Sequence, residues 1–169
     1  MASGILSSLD FARRDAPTTN DDLRAHLIEW LDYQRHEFVR KLRDLTPEQL
    51  VAWSVPPLEL SVLGLIRHMT QMEHGYVVVG LGGGEMAPRY GEDDYAGGSV
   101  ESVESDLGFY LAEVEQANRV IASLPSLDST GAGNGWTLAA TLIKMVDEYA
   151  LHAGQAHMLR FAALGELAR

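Results

Sequence analysis

Apolar residues recur at three- and four-residue steps along four long stretches of the chain, which is the period of amphipathic α-helices. The predicted helices cover residues 21–45, 61–79, 100–124 and 136–164. In the first of them, Leu27, Leu31 and Phe38 share one face. No stretch has the pattern of a set of β-strands. The pattern therefore predicts an all-α fold, a four-helix bundle with its core between the apolar faces.

Residues that start and stop helices support these boundaries. Thr46, Pro47 and Gln49 have the order of an N-cap, a first-turn proline and a capping-box partner, so a short extra helix is expected there. Ser99 is expected to cap the third long helix, and Gly165 is a natural stop for the fourth. Trp30, Trp53 and Trp136 are expected in the core.

A glycine-rich, acidic segment separates the second and third long helices. It covers residues 80–98, and we expect a long surface loop that covers any site in the bundle. Its glycine run lacks a following Lys-Ser or Lys-Thr, so it is not a phosphate-binding P-loop. We expect one domain over residues 1–169, with a flexible N-terminal segment at 1–19.

Charge and composition disfavour several classes of partner and exclude reactions that need a cysteine of the protein. The formal net charge of −11 disfavours binding to nucleic acid and to anionic membranes. No stretch is apolar enough to span a membrane, and the N-terminus lacks signal-peptide features, so a cytoplasmic location is expected. The chain has no cysteine, which excludes disulfides, thiolate ligands and a cysteine nucleophile. Any thiol chemistry needs a thiol from outside the protein.

The fourth helix carries a carboxylate and an imidazole in a metal-binding spacing. Glu148 and His152 are four residues apart, which places them on one helix face about 6 Å apart along the axis. His68 on the second helix is a third candidate ligand, and a bundle would bring the helices together. The alternative is a solvated Glu148–His152 ion pair and a hydrogen-bonded core His68.

The other titratable groups are weaker candidates. His74 and His157 lie off the faces of the candidate ligands, and His26 and His36 are expected to be structural or surface residues. Lys144 lies one turn before Glu148, where it would form an i, i+4 salt bridge or hold an anionic substrate.

Several segments together resemble the DinB-like superfamily of four-helix-bundle metalloproteins. They are LDYQR at 31–35, LTPEQL at 45–50, VPP at 55–57, LGLIRH at 63–68, WTL at 136–138 and DEYALHAGQ at 147–155. The similarity is greatest to the actinobacterial branch that includes mycothiol-dependent maleylpyruvate isomerase. It implies a DinB/YfiT-like bundle whose metal ligands are His68, Glu148 and His152.

The resemblance also implies a function. It indicates a metal-dependent enzyme, with zinc or nickel as the metal and a low-molecular-weight thiol such as mycothiol as cosubstrate. The reaction would be S-transfer to a small electrophile or isomerisation of an unsaturated acid, and a homodimer is expected. The alternatives are a non-catalytic metal- or ligand-binding bundle, related to stress, and a structural bundle with a vestigial site. No catalytic acid or base is assigned, although Lys144 and Tyr149 are candidates.

Three positions depart from the pattern of the branch. Relatives often carry His at Lys144, Arg at Ala139, and a second His at Gln155. These departures leave the three metal ligands intact and bear on which thiol and substrate are recognised.

Overall fold

The computed structural model describes residues 4–19, 21–85, 89–91 and 94–166, and within these ranges the regular structure is helical. The α-helices are α1 (Ile5–Ser8), α2 (Leu23–Val39), α3 (Pro47–Val51), α4 (Val62–Met72), α5 (Val103–Ser123) and α6 (Leu138–Ala163). Only an isolated bridge between Thr130 and Thr137 pairs backbone in the manner of a sheet in this part of the chain. The predicted all-α fold is confirmed.

The long helices pack side by side around one apolar core. Helix α2 lies along α6, and α4 packs against both α5 and α6. Each long helix contributes fully buried residues: Leu31 and Phe38 from α2, Leu65 and Ile66 from α4, Leu107 from α5, and Leu142 and Met145 from α6. Burial of each such side chain contributes about 1.5–3 kcal/mol. The helix α6 therefore has α2 on one side and α4 on another.

The predicted capping box at Thr46 and the predicted stop at Gly165 are present, whereas Ser99 precedes a 3₁₀ turn over Val100–Ser102 and α5 begins at Val103. Thr46 and Gln49 form a complete capping box at the start of α3, with Pro47 in the first turn. Thr137 caps α6 by accepting a hydrogen bond from the amide of Ala140. Gly165 has a φ of 70°, the left-handed conformation that ends a helix after its last turn.

The second predicted helix has the expected length but changes type. Helix α4 ends at Met72, and a π-helix continues from Glu73 to Val79. The amides of Gly80 and Gly82 bond to carbonyls five residues earlier, at 3.0 and 3.1 Å. The apolar pattern did not distinguish this wider turn from an α-helix because seven residues are too few to separate the two periods.

The end of the first long helix and the positions of two tryptophans differ from the prediction. Helix α2 ends at Val39 and is followed by a 3₁₀ turn over Arg40–Leu42, short of the predicted end at residue 45. The expected core positions of two tryptophans are wrong, since Trp53 is 48% and Trp136 41% exposed. Trp136 instead packs on Tyr76, with ring centroids 5.7 Å apart.

The described part of the loop after the π-helix lies in turns and coil, and residues 86–88 and 92–93 of the predicted loop lie outside the described residues. Its end packs closely on α4, because a Cβ at Gly64 would clash with the carbonyl oxygen of Tyr95. Arg67 donates to the carbonyl oxygen of Asp94 at 3.0 Å and pairs with Asp106 on α5 at 3.5 Å. These contacts fix residues 94–98 over α4.

Residues 4–19 lie along the bundle, and residues 1–3 of the predicted N-terminal segment lie outside the described ranges. Ile5, Leu6 and Phe11 pack against the core, and Nε2 of His36 donates to the carbonyl oxygen of Ala12 at 2.7 Å. None of the described helices is long and apolar enough to cross a membrane.

Candidate metal centre

His68 from α4 meets Glu148 and His152 from α6 at the border of the core. One ligand atom from each lies within 4.8 Å of the others. Both imidazoles direct Nε2 at the same carboxylate oxygen, Glu148 Oε2, which is 3.2 Å from His152 and 3.9 Å from His68. The packing of α4 on α6 therefore joins residues that are 80 and more positions apart in the sequence.

The depth of the three side chains suits a site that a small molecule can reach. His68, Glu148 and His152 keep 12%, 13% and 6% of their side-chain surface exposed. They are mostly buried, and each keeps a small part of its surface in contact with solvent.

The donor atoms fit a divalent metal in type and in spacing. Tetrahedral zinc with bonds of 2.0–2.2 Å would separate its donor atoms by about 3.4 Å. The two separations from Oε2 of Glu148, 3.2 and 3.9 Å, bracket that value, and all three donor atoms lie within 4.8 Å of one another. Two imidazoles and one carboxylate also form the ligand set of catalytic zinc sites that keep a position open. The same donors suit nickel, iron and manganese.

His68 lies between two carboxylates, which is a favourable place for a cation. Its Nδ1 is 2.9 Å from Oδ2 of Asp94, and its Nε2 faces Glu148. Burial lowers the pKa of His68, and the charge of Asp94 only partly offsets this effect. A neutral imidazole has one N–H, so Nδ1–H donates to Asp94 while the Nε2 lone pair faces the second carboxylate. A metal ion between Nε2 and Glu148 would turn this repulsion into attraction.

His152, like His68, has a hydrogen-bond acceptor at Nδ1 and Glu148 at Nε2. Its Nδ1 lies 2.8 Å from Oε1 of Gln155, and with the amide oriented as in the structure the N–H donates to that oxygen. Its Nε2 lies 3.2 Å from Oε2 of Glu148, and in the tautomer with the proton on Nδ1 the Nε2 lone pair is available to a metal ion there. The acceptors at Nδ1 of both imidazoles thus favour the tautomer that a metal needs.

Lys144 forms the predicted i, i+4 pair with Glu148 and contacts its Oε1. Burial opposes ionisation of Glu148, but the hydrogen bond and charge of Lys144 outweigh it and lower the pKa of the carboxyl. The same contact raises the pKa of Lys144. Glu148 is therefore ionised, with Oε1 turned to the lysine and Oε2 turned to the imidazoles.

Comparison with known protein families gives one match that includes the three candidate ligands. A family model described as mycothiol S-transferase matches residues 26–165, which include all three candidate ligands. The chain belongs to the mycothiol S-transferase family. This is a DinB-like family, as the sequence segments indicate. Neither curated proteins nor solved structures give a match to the chain.

Two residues next to the candidate metal ligands of this mycothiol S-transferase family member escaped the sequence analysis. Asp94 bonds to His68, and the ring of Tyr95 stacks on the His68 ring with centroids 4.4 Å apart and planes 17° apart. Burial, followed by the charges of Asp94 and Glu148, raises the pKa of Tyr95 to about 12, so its phenol stays neutral. The acidic composition of the loop was the only signal that could have indicated them.

The remaining histidines lie apart from the metal group, as their helix positions indicate. Nδ1 of His74 is 3.4 Å from Glu113, and the His157 ring packs edge-on against Phe161. His26 accepts a hydrogen bond from the indole of Trp30 at 3.2 Å. His68 and His152 are thus the histidines that share one location.

Proposed function

We propose that this mycothiol S-transferase family member binds one divalent metal ion through His68, Glu148 and His152 and transfers the sulfur of a mycothiol-type thiol to an electrophile. The family match supports the reaction class. The observation that carries the metal proposal is that two imidazole Nε2 atoms face one carboxylate oxygen, at 3.2 and 3.9 Å. We expect zinc or nickel in a cytoplasmic homodimer.

The bound metal would lower the pKa of a coordinated thiol and so supply a thiolate near neutral pH. The chain has no cysteine, so the reacting sulfur belongs to the cosubstrate. The thiol proton leaves to solvent, the sulfur electron pair forms a bond to the electrophilic carbon, and the leaving group departs with its bonding pair.

Each side chain of the group has a separate task in this proposal. His68, His152 and Oε2 of Glu148 would hold the metal. Asp94 and Gln155 keep the two imidazoles in the Nδ1–H tautomer, at 2.9 and 2.8 Å. Lys144 fixes the orientation of Glu148.

Metal content is the first test. Untagged protein is reconstituted with zinc or nickel, desalted and measured by elemental analysis. We expect one metal ion per chain in the native protein and its loss in His68→Ala and in His152→Ala. His157→Ala is the matched control, since it removes an imidazole from the same helix without touching the group. Full metal retention in both ligand variants would refute the ligand assignment.

Activity separates an enzyme from a binding module. Mycothiol consumption is followed in the presence of 1-chloro-2,4-dinitrobenzene or iodoacetamide, with the metal-loaded native protein and with His152→Ala. We expect the metal-loaded native protein to consume mycothiol and His152→Ala not to do so. Stoichiometric metal without acceleration of either reaction over the protein-free rate would leave the protein as a metal-binding bundle and overturn the proposed transfer.

A further inference from the structure

We propose that an apolar groove beside the metal group binds the alkyl or aryl part of the electrophile. The groove has a volume of about 400 Å³. Its lining comes from the segment before α4 and from the outer face of α6: Val55, Leu58, Leu60, Leu151, Gln155 and Met158. The proposal rests on the proposed function and names the substrate class of that site.

Gln155 connects the groove to the metal group. Its side chain lines the groove, and its Oε1 lies 2.8 Å from Nδ1 of His152. Leu151, which also lines the groove, directly precedes His152 in α6. The groove therefore adjoins the Nδ1 side of His152, and a molecule that fills it lies next to one of the proposed metal ligands.

The lining selects for apolar molecules. Gln155 is the polar side chain among its lining residues, and none of them is charged. Ligand sites of about 300–1,000 Å³ are typically apolar with a few placed polar groups, and this groove fits that description in size and in chemistry. Since a polar or anionic body would lose its hydration there without gaining a partner, the favoured electrophile carries an alkyl or aryl body.

Leu151 and Met158 are large apolar residues that the fold leaves exposed. They are 56% and 52% exposed, and both face the groove from α6. Exposed apolar side chains that converge on one concave surface indicate a binding function when a functional group lies beside them. Here that neighbour is the candidate metal group.

Binding is tested first without any reaction. 1,3-Dinitrobenzene resembles an aromatic electrophile but has no leaving group, and its binding to the full chain is followed by NMR chemical-shift changes. We expect shifts at groove residues and a dissociation constant at least about tenfold weaker in Leu151→Ser/Met158→Ser. Ile143→Ser is the matched control, because Ile143 is 58% exposed on the same helix and lies outside the groove.

Three results would overturn the groove proposal. They are no binding of 1,3-dinitrobenzene, shifts that map elsewhere, and equal affinity in the double variant. A dimer that becomes monomeric only in the double variant, as measured by sedimentation, would show that a second copy covers the groove. Because this binding needs neither metal nor thiol, it can succeed where the proposed transfer fails.

Turnover gives the second test. The ratio of kcat/KM for 1-chloro-2,4-dinitrobenzene to that for iodoacetamide should fall about tenfold or more in the double variant, because iodoacetamide has no apolar body. Thiolate attack on the aryl chloride forms the sulfur–carbon bond and releases chloride, so chloride release gives a direct readout. An unchanged ratio would contradict the groove as the electrophile site.

Discussion

Asp94 should control how tightly the metal group holds its ion, although it is not itself a ligand in the proposal. Its Oδ2 accepts the Nδ1 proton of His68 at 2.9 Å, and the residue is 8% exposed. Asp94→Asn keeps the size and an acceptor oxygen but removes the negative charge. The imidazole then loses the charge-assisted half of its hydrogen bond and becomes a poorer donor to the metal.

The magnitude follows from this geometry. Removal of the outer partner of a metal-ligating histidine costs about 10–100-fold in metal affinity. The asparagine retains a neutral acceptor, so we expect about tenfold weaker binding, which is about 1.4 kcal/mol. Asp94→Ala leaves Nδ1–H without the side-chain acceptor and should approach the hundredfold limit. The loop position should persist, because Arg67 bonds to the main-chain carbonyl of residue 94.

A competition titration of zinc against a chromophoric chelator measures this affinity. Asp128→Asn is the matched control, because it removes the same negative charge from an exposed aspartate in a loop. Thermal unfolding of the metal-free proteins shows whether the fold is intact. Zinc affinity of Asp94→Asn within about twofold of the native value, with an unchanged melting temperature, would refute the reasoning on the outer partner.

Three further substitutions test buried and charged contacts elsewhere in the fold. Glu73 is fully buried and accepts two hydrogen bonds from Arg35 at 2.7 Å, so Glu73→Gln should cost about 3–5 kcal/mol in urea unfolding by removing the buried carboxylate that pairs with this guanidinium; a loss below about 1 kcal/mol would contradict this. Gly64→Ala should cost about 1–3 kcal/mol and weaken metal binding, because the new Cβ meets the Tyr95 carbonyl; unchanged values of both would be inconsistent with that contact. Burial opposes ionisation of Glu37, but two basic neighbours outweigh it and lower its pKa below 4.5, so its contribution is present above pH 4.5 and lost as the pH falls through the folded value. Urea unfolding of Glu37→Gln between pH 6 and 3 should therefore show a weaker acid-induced loss of stability than the native chain, and parallel curves would exclude this role.

The helices and most of their ends were predictable because they depend on residues close together in the sequence. The period of apolar residues and the order Thr46, Pro47, Gln49 depend on neighbours within a few positions, so the sequence alone contains them. The spacing of Glu148 and His152 is equally local, and their shared helix face was predictable. Whether the group binds metal stays a prediction for the metal measurements.

The rest depended on how distant segments meet. The π-helix places Glu73 against Arg35, and a buried partner 38 residues away is not visible in the local pattern. Asp94 was missed for the same reason, since its distance from His68 is fixed by the path of a loop of irregular backbone.

That path nevertheless has a local origin in the segment 63–68. Gly64 provides the space for the Tyr95 carbonyl, and Arg67 donates to the Asp94 carbonyl at 3.0 Å. His68, the next residue along the chain, donates a hydrogen bond from Nδ1 to the Asp94 carboxylate at 2.9 Å. One stretch of α4 thus provides a candidate ligand and also holds the loop that orients it. Substitution of Gly64 or Arg67 should therefore affect metal affinity even though neither side chain is a candidate ligand.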